Sequence, residues 1–249
     1  MSYVTTRHGD LYYTTVGAGR PLILIHGNTM TAESQSRLAQ RFADEHEVTS
    51  LDLLGHGHSA RPAGLFSTAY FRMQGEALAD LLAARYPRLR VPIFGMSAGA
   101  LSALNAACVA PERIAALVLD GVIRYADAAI VAANRDSVAN FSREWNRYLE
   151  SQHGDWWPEL RAGIVATMEQ LEAAGTDIVP CLEQITIPAL IFQGGKDRFC
   201  PEAQGRAIAA AMPNARLVYD AEAGHLLAWK NPAAFREIVR EFLHENDER

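Results

Sequence analysis

The 249-residue sequence predicts an α/β fold: about eight strands in a mostly parallel sheet, helices on both faces and a small helical cap inserted after the sixth strand. Three observations predict it. Short apolar runs alternate with helical stretches, the pattern of parallel strands joined by crossover helices. Several of the runs are continuously apolar, as in strands buried on both faces. One stretch, between Gly121 and Thr186, breaks the alternation and carries only helical patterns.

The N-terminal "SYVTTRHGDLYYTTVG" reads as two strands around a His8-Gly9-Asp10 turn, hence a hairpin. "PLILIHG" is a continuous apolar run ending in glycine, and "EVTSLDLLGHG" is a weaker one. "VPIFG", "IAALVLDG", "PALIFQGG" and "ARLVYD" follow, separated by helices or long connections. After Ser97 a helix carries Ala98, Gly99, Ala100, Ala103, Ala106 and Ala107, small residues that let it lie close to a sheet. Between Gly121 and Thr186, Phe141, Trp145, Tyr148 and Leu149 make one helical stripe. Leu160, Ile164, Met168 and Leu171 make another, and "HGDWWPE" separates the two. This is a cap of approximately residues 122–186, placed over one end of the sheet. Near the C-terminus, Phe235, Ile238, Val239, Phe242 and Leu243 form a single apolar face behind Pro232, a residue favoured in a first helical turn. No repeat, low-complexity tract or linker divides the chain, so residues 1–249 are expected to form one domain.

Composition narrows the function classes. Hydrophobic residues at 49% and charged residues at 21% suit a globular chain with a sizeable core. A net charge of -6, with Lys and Arg scattered, argues against nucleic acid, which needs a concentrated basic face. No apolar run approaches the roughly 18 residues of a membrane span, and the N-terminus shows no apolar signal core. Cys108, Cys181 and Cys200 are odd in number and lack metal-ligand spacing; they read as reduced thiols, and with them a cytoplasmic location is expected.

One serine then stands out. In "VPIFGMSAGALSALNAA" an apolar strand turns into a helix at Ser97, with Gly95 and Gly99 two residues away on either side. A sharp strand-to-helix corner strains its central residue, and bulky side chains beside it would meet the facing backbone. The corner lifts the hydroxyl above the carboxyl ends of the strands: the nucleophile elbow, G-x-S-x-G. A hydroxyl needs a base, and the base needs an orienting carboxylate. "EAGHLLAWKNP" supplies His225 and "PALIFQGGKDRFCP" supplies Asp197, in the chain order Ser, Asp, His that accompanies this elbow. Asp120, at the end of "IAALVLD", is the alternative acid. Backbone N–H groups must meet the oxyanion, and those of Asn28 and Met96 are the candidates.

These pieces resemble the α/β-hydrolase family: "LIHGN" (24–28), "DLLGHGHS" (52–59), the elbow (95–99), "GGKDRFCP" (194–201) and "AGHLL" (223–227). The resemblance runs over essentially the whole chain. It implies an eight-stranded sheet with a helical cap, Ser97, Asp197 and His225 as triad, and Asn28 and Met96 as oxyanion donors. The cap spacing resembles the biphenyl-hydrolase-like and valacyclovir-hydrolase group. Members that cleave amino-acid esters carry an acid directly after the nucleophile; Ala98 stands there, which speaks against an amino-ester substrate.

The sequence reading is therefore a serine hydrolase acting on a small or medium carboxylic ester or lactone, a small-molecule substrate, with no metal and no cofactor. Trp145, Trp156, Trp157 and Met168 are the cap candidates for contacting it. Rival chemistries on the same triad are carbon–carbon bond hydrolysis, perhydrolysis and acyl transfer; a non-catalytic receptor is a further alternative. Dehalogenases and epoxide hydrolases need a carboxylate where Ser97 stands. His26, His56 and His58 lie near Asp52 without metal-ligand spacing and read as structural, with His26 buttressing the oxyanion loop and Asp52 anchoring the "GHGHS" loop. "GHGHSA" matches a dinucleotide fingerprint but opens no helix, since "RPAG" follows. Monomer and homodimer are equally compatible with the sequence.

Overall fold

The structure, a computed structural model, describes residues 2–246. The hairpin comprises β1 (Ser2–Thr6) and β2 (Gly9–Val16), and its Arg7-His8 turn lies earlier than expected, because Gly9 already pairs with Thr6. Then come β3 (Arg20–Ile25), α1 (Ser36–Gln40), β4 (His46–Leu51), α2 (Tyr70–Arg85), β5 (Val91–Met96), α3 (Ala98–Val109) and β6 (Ile114–Asp120). Three helices follow without a strand among them: α4 (Ala128–Ala139), α5 (Arg143–His153) and α6 (Trp157–Ala174). The chain closes with β7 (Ala189–Gly194), α7 (Glu202–Ala211), β8 (Ala215–Asp220), α8 (Leu227–Lys230) and α9 (Pro232–Glu245).

The eight strands form one sheet in the order β1-β2-β4-β3-β5-β6-β7-β8. β2 pairs antiparallel with β1 and β4, and every later pair is parallel. The crossovers change direction at β3, which lies between β4 and β5, and such a switch opens a crevice beyond the carboxyl ends of the strands. Alternate residues of the central strands serve two cores. Ile23, Ile25, Leu117, Leu119 and Ile191 pack on one face with α2 and α3. Leu22, Leu24, Val118, Leu190 and Phe192 pack on the other with Leu38 of α1 and with Phe235, Val239, Phe242 and Leu243 of α9. Strands buried on both sides explain the continuously apolar runs.

The insertion between β6 and β7 attaches to this body in two ways. Ile130, Val131, Met168 and Leu171 join the core on the α2/α3 face, while Leu149, Trp157, Leu160 and Ile164 make a small core of their own. The stripe expected from Phe141 to Leu149 does not hold together as one face: Leu149 is buried, whereas Trp145 is 40% exposed and Phe141 precedes α5.

The cysteine expectation is corrected. Cys108, at the end of α3, and Cys181, on the return from the insertion, form a disulfide, and Cys200 alone is a free, buried thiol. An odd cysteine count says nothing about which two the fold brings together, and this pair is 73 residues apart in sequence with Cα atoms 5.7 Å apart. The reducing-compartment argument built on three thiols falls with it. Among the described residues no helix is long and apolar enough to cross a membrane.

Candidate active site

The elbow is where β5 becomes α3. Ser97 has φ 52° and ψ −114°, a left-handed backbone that a non-glycine residue adopts only when its surroundings enforce it. Those surroundings are visible. The Ser97 N–H donates to Asp120 O at 2.8 Å, and Ser97 O accepts from the N–H groups of Ala100 and Leu101 at 2.9 and 3.1 Å. A Cβ on Gly95 would stand 2.4 Å from Gly99 O, and one on Gly99 would stand 2.4 Å from Ile25 O. Both glycines are thus required by close backbone approach at the corner, not by their own dihedrals.

His225 comes from the loop between β8 and α8, and Asp197 from the turn after β7. The Asp197 carboxylate is almost wholly buried and fully engaged. Its Oδ1 accepts from the N–H groups of Phe199 and Cys200 at 2.8 and 2.9 Å, and its Oδ2 accepts from His225 Nδ1 at 2.7 Å. With Nδ1 holding the proton for that bond, Nε2 is the free basic nitrogen. Ser97 and His225 line one cavity without a hydrogen bond between them, a looseness common in sites with no substrate bound. Asp120, the alternative acid, is used otherwise. It is completely buried and accepts from the N–H groups of Leu227 and Ala228 at 3.0 and 2.9 Å, fastening the start of α8 just after His225. Burial pushes its carboxyl up to about 6.

The cavity measures about 230 Å³. Gly27, Asn28, Ser97, Ala98 and His225 line its sheet side; Asn134, Ser137, Phe141, Trp145, Ile164 and Met168 line it from the insertion. Two of the four expected contact residues are therefore present. Trp156 instead donates its indole N–H to Gly55 O at 2.9 Å, and Trp157 is buried beside Phe141 and His153. Asn134, Ser137 and Phe141 were missed: the first two lie one turn apart on α4, and Phe141 lies in the connection between α4 and α5. The Asn134 amide N–H donates to Ile130 O at 2.8 Å, which leaves its oxygen as an acceptor. No Asp, Glu, Lys or Arg lines the cavity among the described residues.

Of the two residues expected to donate to the oxyanion, one lines the cavity and the other does not. Asn28 lines the cavity, its side-chain oxygen accepting from Tyr70 at 3.2 Å. Met96 does not reach it: as the last residue of β5, it is fully buried in the core on the α9 face. Ala98, the first residue of α3, occupies that wall instead. The corner reverses the chain at Ser97, so the N–H groups opening toward the cavity come after the serine.

Three imidazoles stand behind the loop that carries Asn28. His26 Nδ1–H donates to Gly27 O at 2.7 Å while its Nε2 accepts from Leu53 N–H at 3.0 Å. His56 Nε2 accepts from Thr29 N–H at 3.3 Å, and its Nδ1–H donates to Leu54 O at 3.2 Å. The third, His153 of α5, was not foreseen; the other expected one, His58, lies edge-on to Tyr12 instead. Asp52 anchors the neighbouring loop as expected, accepting from the N–H groups of Ala32 and His58 at 2.7 and 2.9 Å.

Burial lowers the pKa of all three imidazoles, His26 to about 3. Below the ordinary histidine value the unfolded chain binds protons that the folded chain refuses, so stability falls as pH drops. Each such histidine contributes at most about 1.4 kcal/mol per pH unit. Asp120 and Asp52, both raised by burial, work in the opposite direction, but two carboxyls oppose four imidazoles, since burial lowers His46 as well. The urea midpoint is expected to fall between pH 7.5 and 5.5; an unchanged midpoint would contradict the neutral assignment.

Asp197, Cys200 and His225 place one ligand-type atom each within 4.8 Å of one another. Their chemistry does not suit a metal. Both carboxylate oxygens already accept from N–H donors, and burial among Asp197 and Asp120 pushes the Cys200 thiol well up, away from the thiolate a metal takes.

A family model described as alpha/beta hydrolase fold matches residues 20–167, and one described as TAP-like protein matches 167–248. The chain belongs to the α/β-hydrolase fold family and is an enzyme of that hydrolase class. It is 28% identical to a pimeloyl-[acyl-carrier protein] methyl ester esterase of Chromobacterium violaceum, over 94% of this chain and 98% of that one. It is also 28% identical to a 2-hydroxy-6-oxononadienedioate/2-hydroxy-6-oxononatrienedioate hydrolase of Cupriavidus pinatubonensis, over 97% and 94%. Among solved structures, a hydrolase from Pseudomonas aeruginosa superposes with a TM-score of 0.74 at 25% identity, covering 97% of each chain. The enol-lactonase from Burkholderia xenovorans matches in fold, with a TM-score of 0.75 at 19% identity over 98% of this chain and 100% of that one.

Proposed function

We propose that this hydrolase cleaves small or medium carboxylic esters or lactones through an acyl-enzyme on Ser97. The observation that carries the reading is the Asp197–His225 bond at 2.7 Å beside a cavity that also holds Ser97. His225 Nε2 takes the proton of Ser97 as its oxygen attacks the carbonyl carbon. Asp197 fixes the imidazole and stabilises its cationic form. The N–H groups of Asn28 and Ala98 receive the oxyanion. His225 protonates the leaving alcohol, then activates the water that releases the acid.

Residues 122–186 act as the cap of this site, and the cap defines the substrate. Without a cationic side chain in its wall, the cavity favours an uncharged acyl part over a free carboxylate, which would be desolvated without a partner. This argues against a dioate as substrate. Butyryl p-nitrophenyl ester is expected to give at least tenfold higher kcat/KM than the palmitoyl ester, with activity insensitive to EDTA. A palmitoyl preference would overturn the pocket argument.

One surface observation favours a second reading, in which the acyl group arrives attached to a carrier protein, as the name of the Chromobacterium relative describes. Arg143, Arg147 and Arg161 border a shallow groove on the cap together with Glu150, and none of the three arginines makes an ion pair with a described residue. Trp145, which lines the cavity, lies on the same helix as Arg143 and Arg147. Replacing both of those arginines by Glu is expected to raise KM for a carrier-bound methyl ester and leave methyl butyrate hydrolysis unchanged. Equal effects on both substrates would remove this reading.

A further inference from the structure

We infer that His153 is a positioning residue: from the cap it holds the backbone of Thr29 and thereby sets the Asn28 N–H for the oxyanion. The inference rests on the triad reading above and extends it to a residue that neither motif nor lining singles out.

Thr29 has φ 68°, a left-handed backbone in a β-branched residue, so something must hold it there. Two imidazoles do. His56 Nε2 accepts from the Thr29 N–H at 3.3 Å, and the Thr29 carbonyl accepts from His153 Nε2–H at 2.8 Å. His153 is itself fixed, because its Nδ1 accepts from the Gly57 N–H at 2.9 Å. That bond leaves only Nε2 to carry the proton, which is the tautomer the Thr29 carbonyl needs. The ring is 2% exposed and lies between His56 and Trp157, with centroids 5.7 Å from each. Its own carbonyl accepts from Arg61 at 3.2 Å.

The consequence concerns the residue between two anchors. On one side of Asn28, the Gly27 carbonyl is held by His26; on the other, the Thr29 carbonyl is held by His153. The second anchor comes from the cap, 124 residues away in sequence. A neighbouring cap residue reaches the same loop, the Thr31 hydroxyl donating to Gln152 at 2.7 Å. The direction of the Asn28 N–H is thus set partly by the piece of chain that also shapes the substrate cavity.

His153→Phe keeps the stacked ring and removes both hydrogen bonds, His153→Gln keeps a donor that can reach Thr29 O, and His153→Asn keeps only an acceptor for Gly57. For the Phe variant kcat is expected to fall roughly 10–100-fold, as for a misplaced oxyanion donor, with KM within about threefold of the parent. Affinity for a trifluoromethyl ketone should fall in the same proportion. That inhibitor reports the oxyanion directly: Ser97 Oγ bonds to its carbonyl carbon, the carbonyl electron pair moves to oxygen, and His225 takes the proton. Gln should recover much of the loss, and Asn, a second route if Phe does not fold, should not. Unchanged kcat and ketone affinity in Phe or Asn would overturn the inference. So would equal losses in Gln and Asn accompanied by a raised KM, the result of a packing role. Ser97→Ala is measured alongside: activity surviving there would refute the triad reading instead.

Discussion

Ser97→Ala is expected to lower turnover of p-nitrophenyl butyrate by about 10³-fold or more, in line with removal of a triad member. The substitution removes one oxygen from a side chain facing a cavity. The backbone that strains the corner is held by bonds to Asp120, Ala100 and Leu101 and by the close approach at Gly95 and Gly99, none of which uses the hydroxyl. The melting temperature should therefore stay near the parent value, and covalent labelling by a fluorophosphonate should vanish. More than a tenth of parental activity remaining would remove Ser97 as the nucleophile.

Asp197→Asn is expected to reduce kcat by roughly 10²–10⁴-fold, because an amide N–H at that place faces His225 Nδ1 and favours the wrong tautomer. The amide oxygen can still accept from the N–H groups of Phe199 and Cys200, as Oδ1 does now, so the fold should be retained while the rate falls. Asp120→Asn separates the two acids. Its carboxylate holds Leu227 and Ala228, not the histidine, so its cost should appear mainly as a lower melting temperature, with a much smaller loss of kcat. The reverse ranking of the two kcat losses would transfer the acid role to Asp120.

The sheet was legible because its strands are buried on both faces and so read as unbroken apolar runs, bounded by glycines and helices. The elbow was legible for a related reason: close backbone approach leaves only glycine at 95 and 99, and that requirement is written in the sequence itself. What escaped lay in relations between distant segments. Met96 and Ala98 are two residues apart, yet the reversal at Ser97 sends one into the core and the other to the cavity, and a linear reading has no way to show that turn. His153 lies one turn beyond Leu149 on the buried side of α5, where it reads as one more packed residue, and its role exists only where the insertion meets the Thr29 loop. Trp156 and Trp157 look alike as bulky aromatics, but their indole N–H groups found partners in Gly55 and Asn146, away from the cavity. The pairing of Cys108 with Cys181 likewise depends on where α3 ends and where the insertion returns.

That pairing changes the topology of the molecule. The chain from 108 to 181 is a closed covalent ring, and β6 and all three helices of the insertion lie inside it. A single cut within the ring opens it without producing two separate pieces, since the crosslink still joins both sides of the break. Parting from the cap takes two independent chemical events, one hydrolytic and one reductive. In the chain-entropy account such a ring withdraws about 4 kcal/mol of freedom from the denatured chain. Even when unfolded, the molecule keeps the return of the insertion tethered to the far end of the helix that follows Ser97.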